Sequence, residues 1–261
     1  MSFIISTKAE IIKTKRSASF WLSLTGSIVI PLIFFLIYTL RPDRNYEKLQ
    51  VKPWEIHFLQ GWQAFASFLL PMFVILICSL IPQIEYKNNS WKQVFASPQS
   101  IGNIFFSKYA AIVIMILFLF LMFNIFMILA GVVPNLIFSK YAFLKNSIDW
   151  AALLKLNFKT FVALLGIVSI QYWMGLRFRN FIVPIGIGLG FLVTAMILSS
   201  WEHIDKVPYA FPFLTFTSSM AENRTELAGP LLQNHELNSI GYFIFFTTLA
   251  FLDMRFRKER E

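Results

Sequence analysis

The sequence predicts an all-α integral membrane protein with six transmembrane helices. Three observations lead there. The chain is 57% hydrophobic with 30 phenylalanines and only 14% charged residues, far too apolar for a soluble domain of 261 residues. The apolar residues gather in runs of about 20, the length needed to cross some 30 Å of hydrocarbon at 1.5 Å per residue. Between the runs lie polar segments, one of which, Pro82 to Tyr109, has the pattern of a short amphipathic helix followed by the start of another helix.

The runs fall at about 19–40, 61–81, 101–133, 156–176, 181–200 and 239–254. With no internal repeat and no low-complexity linker, they read as one membrane domain over 1–261. The first is preceded by Lys13, Lys15 and Arg16, as in a signal peptide, but its apolar core is too long and lacks a small-residue cleavage site, so it reads as a retained span. Upstream, Ile4, Ile5, Ile11 and Ile12 fall on one side of a helical wheel and Glu10, Lys13 and Thr14 on the other, which suits a helix lying in the membrane interface.

After the second run, Trp91, Val94 and Phe95 share a helical face, while Lys87, Ser90, Lys92 and Gln93 lie mostly elsewhere. Pro82 marks a membrane exit and Glu85, just beyond it, reads as a boundary charge, an ion-pair partner or a helix cap. Ser97 with Pro98 is a helix-start signal for the third span. In the fourth run Lys159 lies near the start, where it can snorkel to the headgroups. No other basic or acidic residue falls deep in a span, which argues against an ion-coupled carrier. Asn124 and Gln171 lie within spans three and four, where an amide needs a partner because lipid offers none; they are candidates for interhelical bonds or for polar points on a translocation path. Gly186 and Gly190 are four apart on one face of span five, a pattern that lets a neighbouring helix come close.

The segments 41–60 and 201–238 lie on the other side of the membrane. The second contains VPYAFPFLTFTSSM, broken by Pro208 and Pro212 and too short to span, which suits a re-entrant or interfacial element packed on the helices. Lysine and arginine bias sets the orientation: 13 of the 23 basic residues fall in the N-terminal segment, the Pro82 to Tyr109 segment, the turn with Arg177 and Arg179, and the C-terminal tail. These segments are accordingly expected in the cytoplasm.

Chemistry on the chain itself has little support. There is no G-x-S-x-G, H-E-x-x-H or C-x-x-C, and the single cysteine, Cys78, lies in an apolar run. The three histidines, His57, His203 and His235, all sit in segments predicted outside the spans; Glu202, His203, Asp205, His235 and Glu236 offer metal-ligand types without a motif spacing, so no metal or catalytic site is expected. No G-x-x-x-x-G-K-[ST] loop occurs, so ATP could drive this chain only through another polypeptide. The net charge of +9 is scattered between apolar runs and at the ends, as lipid headgroups require, and nucleic acid is not an expected partner.

These pieces resemble the permease subunits of type-2 ATP-binding-cassette (ABC) transporters, in particular the branch of lantibiotic and bacteriocin self-protection exporters. Three stretches carry the resemblance: the opening segment with Glu10, Lys13, Arg16, Ser17 and Pro31; the central one with Glu85, Trp91, Phe95, Pro98 and Lys108; and the turn between spans four and five with Gln171, Asn180, Gly186 and Gly188. The resemblance implies that the segment after span two is a coupling helix, with Glu85 beside it and Trp91, Val94 and Phe95 facing an ATPase subunit. It further implies two permease copies, identical or paired, and ATP and magnesium held by the ATPase chains. The implied role is an ATP-driven exporter of an amphipathic peptide, bacteriocin or lipid-like compound in a cell membrane of the bacterial plasma type, with both termini cytoplasmic. A membrane scaffold or assembly factor using the same docking segment is the alternative.

Overall fold

A computed structural model describes residues 3–15, 17–41, 48–138, 141–225 and 230–256. Arg16 and the basic tail residues Arg257, Lys258 and Arg260, which enter the orientation argument, lie outside the described residues.

Among the described residues there are helices and no strand. In chain order they are α1 (Phe3–Thr14), α2 (Ala18–Leu40), α3 (Lys48–Val51), α4 (Pro53–Ala64), α5 (Leu70–Lys87), α6 (Trp91–Ala96), α7 (Ile101–Phe138), α8 (Trp150–Arg177), α9 (Ile182–Ile197), α10 (Phe211–Thr225) and α11 (Asn234–Phe256). Six helical stretches are long and apolar enough to cross a membrane: Ala18–Leu40, Pro53–Lys87, Ile101–Phe138, Trp150–Arg177, Ile182–Ser200 and Asn234–Phe256. The expected class is therefore the observed one, and the protein is a multi-pass membrane protein.

The second span departs furthest from expectation. Residues predicted as part of a polar outer segment, from Pro53 onward, are helical, and a turn of π-helix at Phe65–Leu69 joins α4 to α5. Its wider ring absorbs one extra residue without ending the helix, so the buried faces of α4 (Trp54, His57, Phe58, Trp62) and α5 (Leu70, Val74, Ile77, Cys78) both point into the bundle. His57 is thus a fully buried packing residue: one ring nitrogen lies 3.0 Å from Tyr38 Oη and the other 2.8 Å from the Met127 carbonyl. Nor does Pro82 end the helix, which runs on to Lys87. α7 starts at Ile101 rather than at Ser97–Pro98; Ser97 ends α6, and Ser100 Oγ accepts from Asn103 N at 3.2 Å.

At the pole opposite the chain ends, Pro208–Ala210 forms a 3-10 turn and α10 follows, with Pro212 in its first turn where a missing N–H costs nothing. As expected of that apolar stretch, it packs on the helices, burying Tyr209, Phe211, Thr215 and Phe216. Beneath it lies a correction: Lys159 does not snorkel but is fully buried in α8, and Glu236 is fully buried in the first turn of α11. Thr215 Oγ1 donates to Glu236 Oε1 at 3.2 Å and lies 3.0 Å from His235 Nε2.

Lipid is as apolar as a leucine core, so the spans hold together by close contact. A Cβ on Gly175 would stand 2.7 Å from the Cys78 carbonyl oxygen, which lets α8 and α5 meet backbone to backbone. Gly188 makes room for the Gln171 side chain, whereas a Cβ on Gly186 or Gly190 would meet nothing within 4 Å among the described residues beyond its own helix. Within this chain the close contact of span five is therefore at Gly188, and the face with Gly186 and Gly190 is left open. Gly188→Ala should cost about 1–3 kcal/mol in a detergent unfolding titration. Gly186→Ala and Gly190→Ala should be neutral or gain up to about 1 kcal/mol from helix propensity.

Candidate functional site

The site forms where α1, the end of α5, α6 and the foot of α7 meet. α1 carries a polar stripe of Ser6, Glu10, Lys13 and Thr14 against an apolar one of Ile4, Ile5 and Ile12. Its placement inverts that of a soluble helix: Ser6, Glu10 and Thr14 are buried on α7, while the isoleucines are exposed, with Lys8 and Lys15 on the same side. A face of that kind is stable against lipid, as expected of an interfacial helix.

Four charges close a ring across the three elements. Lys13 Nζ lies 2.6 Å from Glu10 Oε1 and 3.0 Å from Glu85 Oε1; Lys108 Nζ lies 2.8 Å from Glu10 Oε2 and 2.5 Å from Glu85 Oε1. Positive and negative alternate, so the ring is neutral. This matters because Lys108 and Glu85 have 0% and 1% of their side chains exposed, a setting in which a lone charge would be prohibitive. Of the readings open for Glu85, ion-pair partner is the observed one. Burial by itself raises the Glu10 carboxyl, but Lys108 and Lys13 outweigh it and hold the group below its ordinary 4.5. Burial likewise disfavours the charged Lys13, but Glu10 and Glu85 outweigh it and raise the group above its ordinary 10.5.

The ring reaches α6 through Trp91. Lys108 Nζ stands 5.5 Å from the centre of the Trp91 ring, within cation–π range. Tyr86 flanks the indole on one side, with centroids 5.3 Å apart, and Phe95 stacks on it at 5.5 Å. Asn89, at φ 49°, takes the left-handed turn between α5 and α6 that an asparagine tolerates. Trp91 and Val94 are half-buried against the protein, while Lys92, Gln93, Phe95 and Ala96 form the exposed face of α6. Glu85 Oε2 and Trp91 Nε1 are buried with no hydrogen-bond partner among the described residues.

Neighbouring elements are clipped to this assembly. Ser6 Oγ donates to Gln99 Oε1 at 2.9 Å, Gln83 Nε2 donates to the Phe178 carbonyl at 2.9 Å, and Tyr86 Oη donates to the Leu176 carbonyl at 2.6 Å. Arg177 pairs with Asp253 of α11 at 3.2 Å. Hence α1, the α5–α7 connection, the α8–α9 turn and the end of α11 share one pole.

The remaining candidates lie elsewhere. Asn124 Nδ2 donates to Asn157 Oδ1 at 2.8 Å, tying α7 to α8. Gln171, fully buried, donates from Nε2 to Tyr209 Oη at 2.8 Å and accepts from Ser79 Oγ at 3.5 Å. Tyr209 in turn lines a cavity of about 240 Å³ with Ser67, Ala195, Ser199 and Phe213. Glu202 and His203 pair with each other at 3.3 Å on the surface, away from the buried His235 and Glu236, and no group of three metal-ligating side chains comes together among the described residues. Sequence reasoning found each member of the ring separately, but not their convergence. Glu10 and Lys108 stand 98 positions apart, a separation over which no periodicity speaks.

Lys108→Met, which leaves two carboxylates to one lysine, should cost about 3–5 kcal/mol in detergent unfolding, and adding Glu85→Met should recover part of that loss. Glu10, held below 4.5, contributes fully above that pH and loses its contribution as pH falls through its lowered value; Lys13, held above 10.5, contributes fully below that pH and loses its contribution only as pH rises past its raised value. Amide protection factors in α1, the intrinsic exchange rate divided by the observed one, should therefore hold across the neutral range and fall in acid.

A family profile described as "ABC-2 family transporter protein" matches residues 6–195, a span that contains the whole ring and α6. No curated protein and no solved structure matches the chain.

Proposed function

This chain belongs to the ABC-2 transporter family, and from that membership we propose that it is the permease subunit of an ATP-driven exporter, energised by a separate ATPase that docks on α6. The family membership makes it a transporter's membrane component. The observation that carries the finer reading is the link from α6 to three other elements: Trp91 rests on Lys108, and Lys108 holds Glu85 of span two and Glu10 of α1. A push on a six-residue helix standing alone would be lost in local bending. A push on α6 moves the feet of spans two and three and the interfacial helix as a unit.

In this reading Phe95 presents the apolar contact to the ATPase, Val94 packs beneath it, and Trp91 transmits the load while Glu85 anchors it. ATP and magnesium reside on the partner. The whole chain acts as one permease domain beside a second copy or a related permease, and the outward-facing Gly186 and Gly190 are suited to a close neighbour from that copy. The shared pole of α1, α6 and the end of α11 is cytoplasmic, as an ATPase partner requires, in a plasma membrane of the bacterial kind. The spans offer apolar walls, so the cargo is amphipathic: a peptide such as a bacteriocin, or a lipid-like compound. Two conformations of the paired permeases, bound differently by the ATPase, would alternate access.

The test is copurification of the tagged full-length chain, with ATPase activity measured in the recovered complex. A P-loop partner whose hydrolysis responds to the permease is expected. Changing both Trp91 and Phe95 to Glu should abolish that response while the spans still insert. Retained coupling in the double variant would remove α6 from the mechanism.

A further inference from the structure

Among the described residues, the ring and one further ion pair take up the acidic groups of this pole. Among the described residues there, Glu10 and Glu85 are buried between Lys13 and Lys108, and Asp253 is paired with Arg177. What α5 and α6 show to solvent is therefore positive and amide-rich. Lys87, Asn88, Asn89, Lys92 and Gln93 are all exposed, and neither lysine has an acidic partner among the described residues. Among them stands one large apolar group, Phe95, 37% exposed and stacked on Trp91.

Resting on the docking role proposed for α6, we infer the chemistry of what receives it: a recess on the ATPase with an apolar floor that takes the Phe95 ring and carboxylates on its rim facing Lys87 and Lys92. A bilayer surface suits this patch poorly. Membrane-lying helices present a stripe of apolar residues, as α1 does with Ile4, Ile5 and Ile12 beside Lys8 and Lys15, whereas α6 offers a single ring among amides. One buried aromatic anchor encircled by charges is the pattern of a protein interface, where the anchor supplies affinity and the rim supplies orientation and association rate.

The test uses the full-length chain in nanodiscs of neutral phosphatidylcholine, titrated with the P-loop ATPase recovered by copurification. The Lys87→Glu, Lys92→Glu double variant should bind about tenfold more weakly at low salt, with the difference shrinking as salt screens the rim. The matching arginine double variant should bind like the parent, and Phe95→Ala should lose affinity alike at low and high salt. An affinity of the charge-reversed variant within about twofold of the parent overturns the acidic rim while leaving α6 docking intact. A charge effect seen only when phosphatidylglycerol is added assigns the lysines to lipid and overturns it as well. Should the parent chain bind no ATPase in either disc, the docking role itself falls, and this inference with it.

Discussion

Two buried carboxylates and a buried lysine, with the partly exposed Lys13 closing the ring, have to neutralise one another, and that demand decides where three segments of this protein meet. Glu85 lies in the last turn of α5, Lys108 in the second turn of α7, and Glu10 and Lys13 belong to a helix that precedes the first span. Replacing such a ring by well-packed apolar groups would often stabilise a protein more, so its value lies in geometry. Any shift of one segment strands a charge in a low-dielectric setting, which leaves the assembly two options: to move together or to come apart. The indole of Trp91 leans on this ring, so the same constraint reaches the most exposed element at that pole.

Elsewhere the bundle relies on closeness rather than charge. α5 and α8 touch backbone to backbone at Gly175, and Gly188 admits the amide of Gln171, which bridges to Tyr209 and Ser79. These contacts run through the bundle, between the ring at one pole and the polar group of Lys159, His235, Glu236 and Thr215 covered by α10 at the other. The protein thus has buried polar anchors at both ends of an apolar middle.

Much of this was legible from residue order. Hydropathy located every span, because a bilayer imposes a length that few other structures require, and the helical spacing of Trp91, Val94 and Phe95 identified α6. Periodicity could not see the π turn at Phe65–Leu69, which keeps a helix going through residues that read as an outer loop and so hides His57 in the core. Nor could it foresee that Lys159 would be covered instead of reaching the headgroups, since α10 and α11 supply that cover from far along the chain. Glu10, Glu85 and Lys108 were each marked by the family resemblance, yet their convergence is a tertiary event. Local pattern tells which face of a helix is polar, not which remote polar face it will meet.

The buried polar stripe of α1 also imposes an order on biogenesis. α1 leaves the ribosome well before the spans that hold its partners, and until Glu85 and Lys108 arrive its own acid and base have only each other and water. It must wait at the membrane surface while the first two spans insert and the foot of the third emerges, then dock. A segment synthesised ahead of its partners is therefore seated only after them, and its docking completes the charged ring.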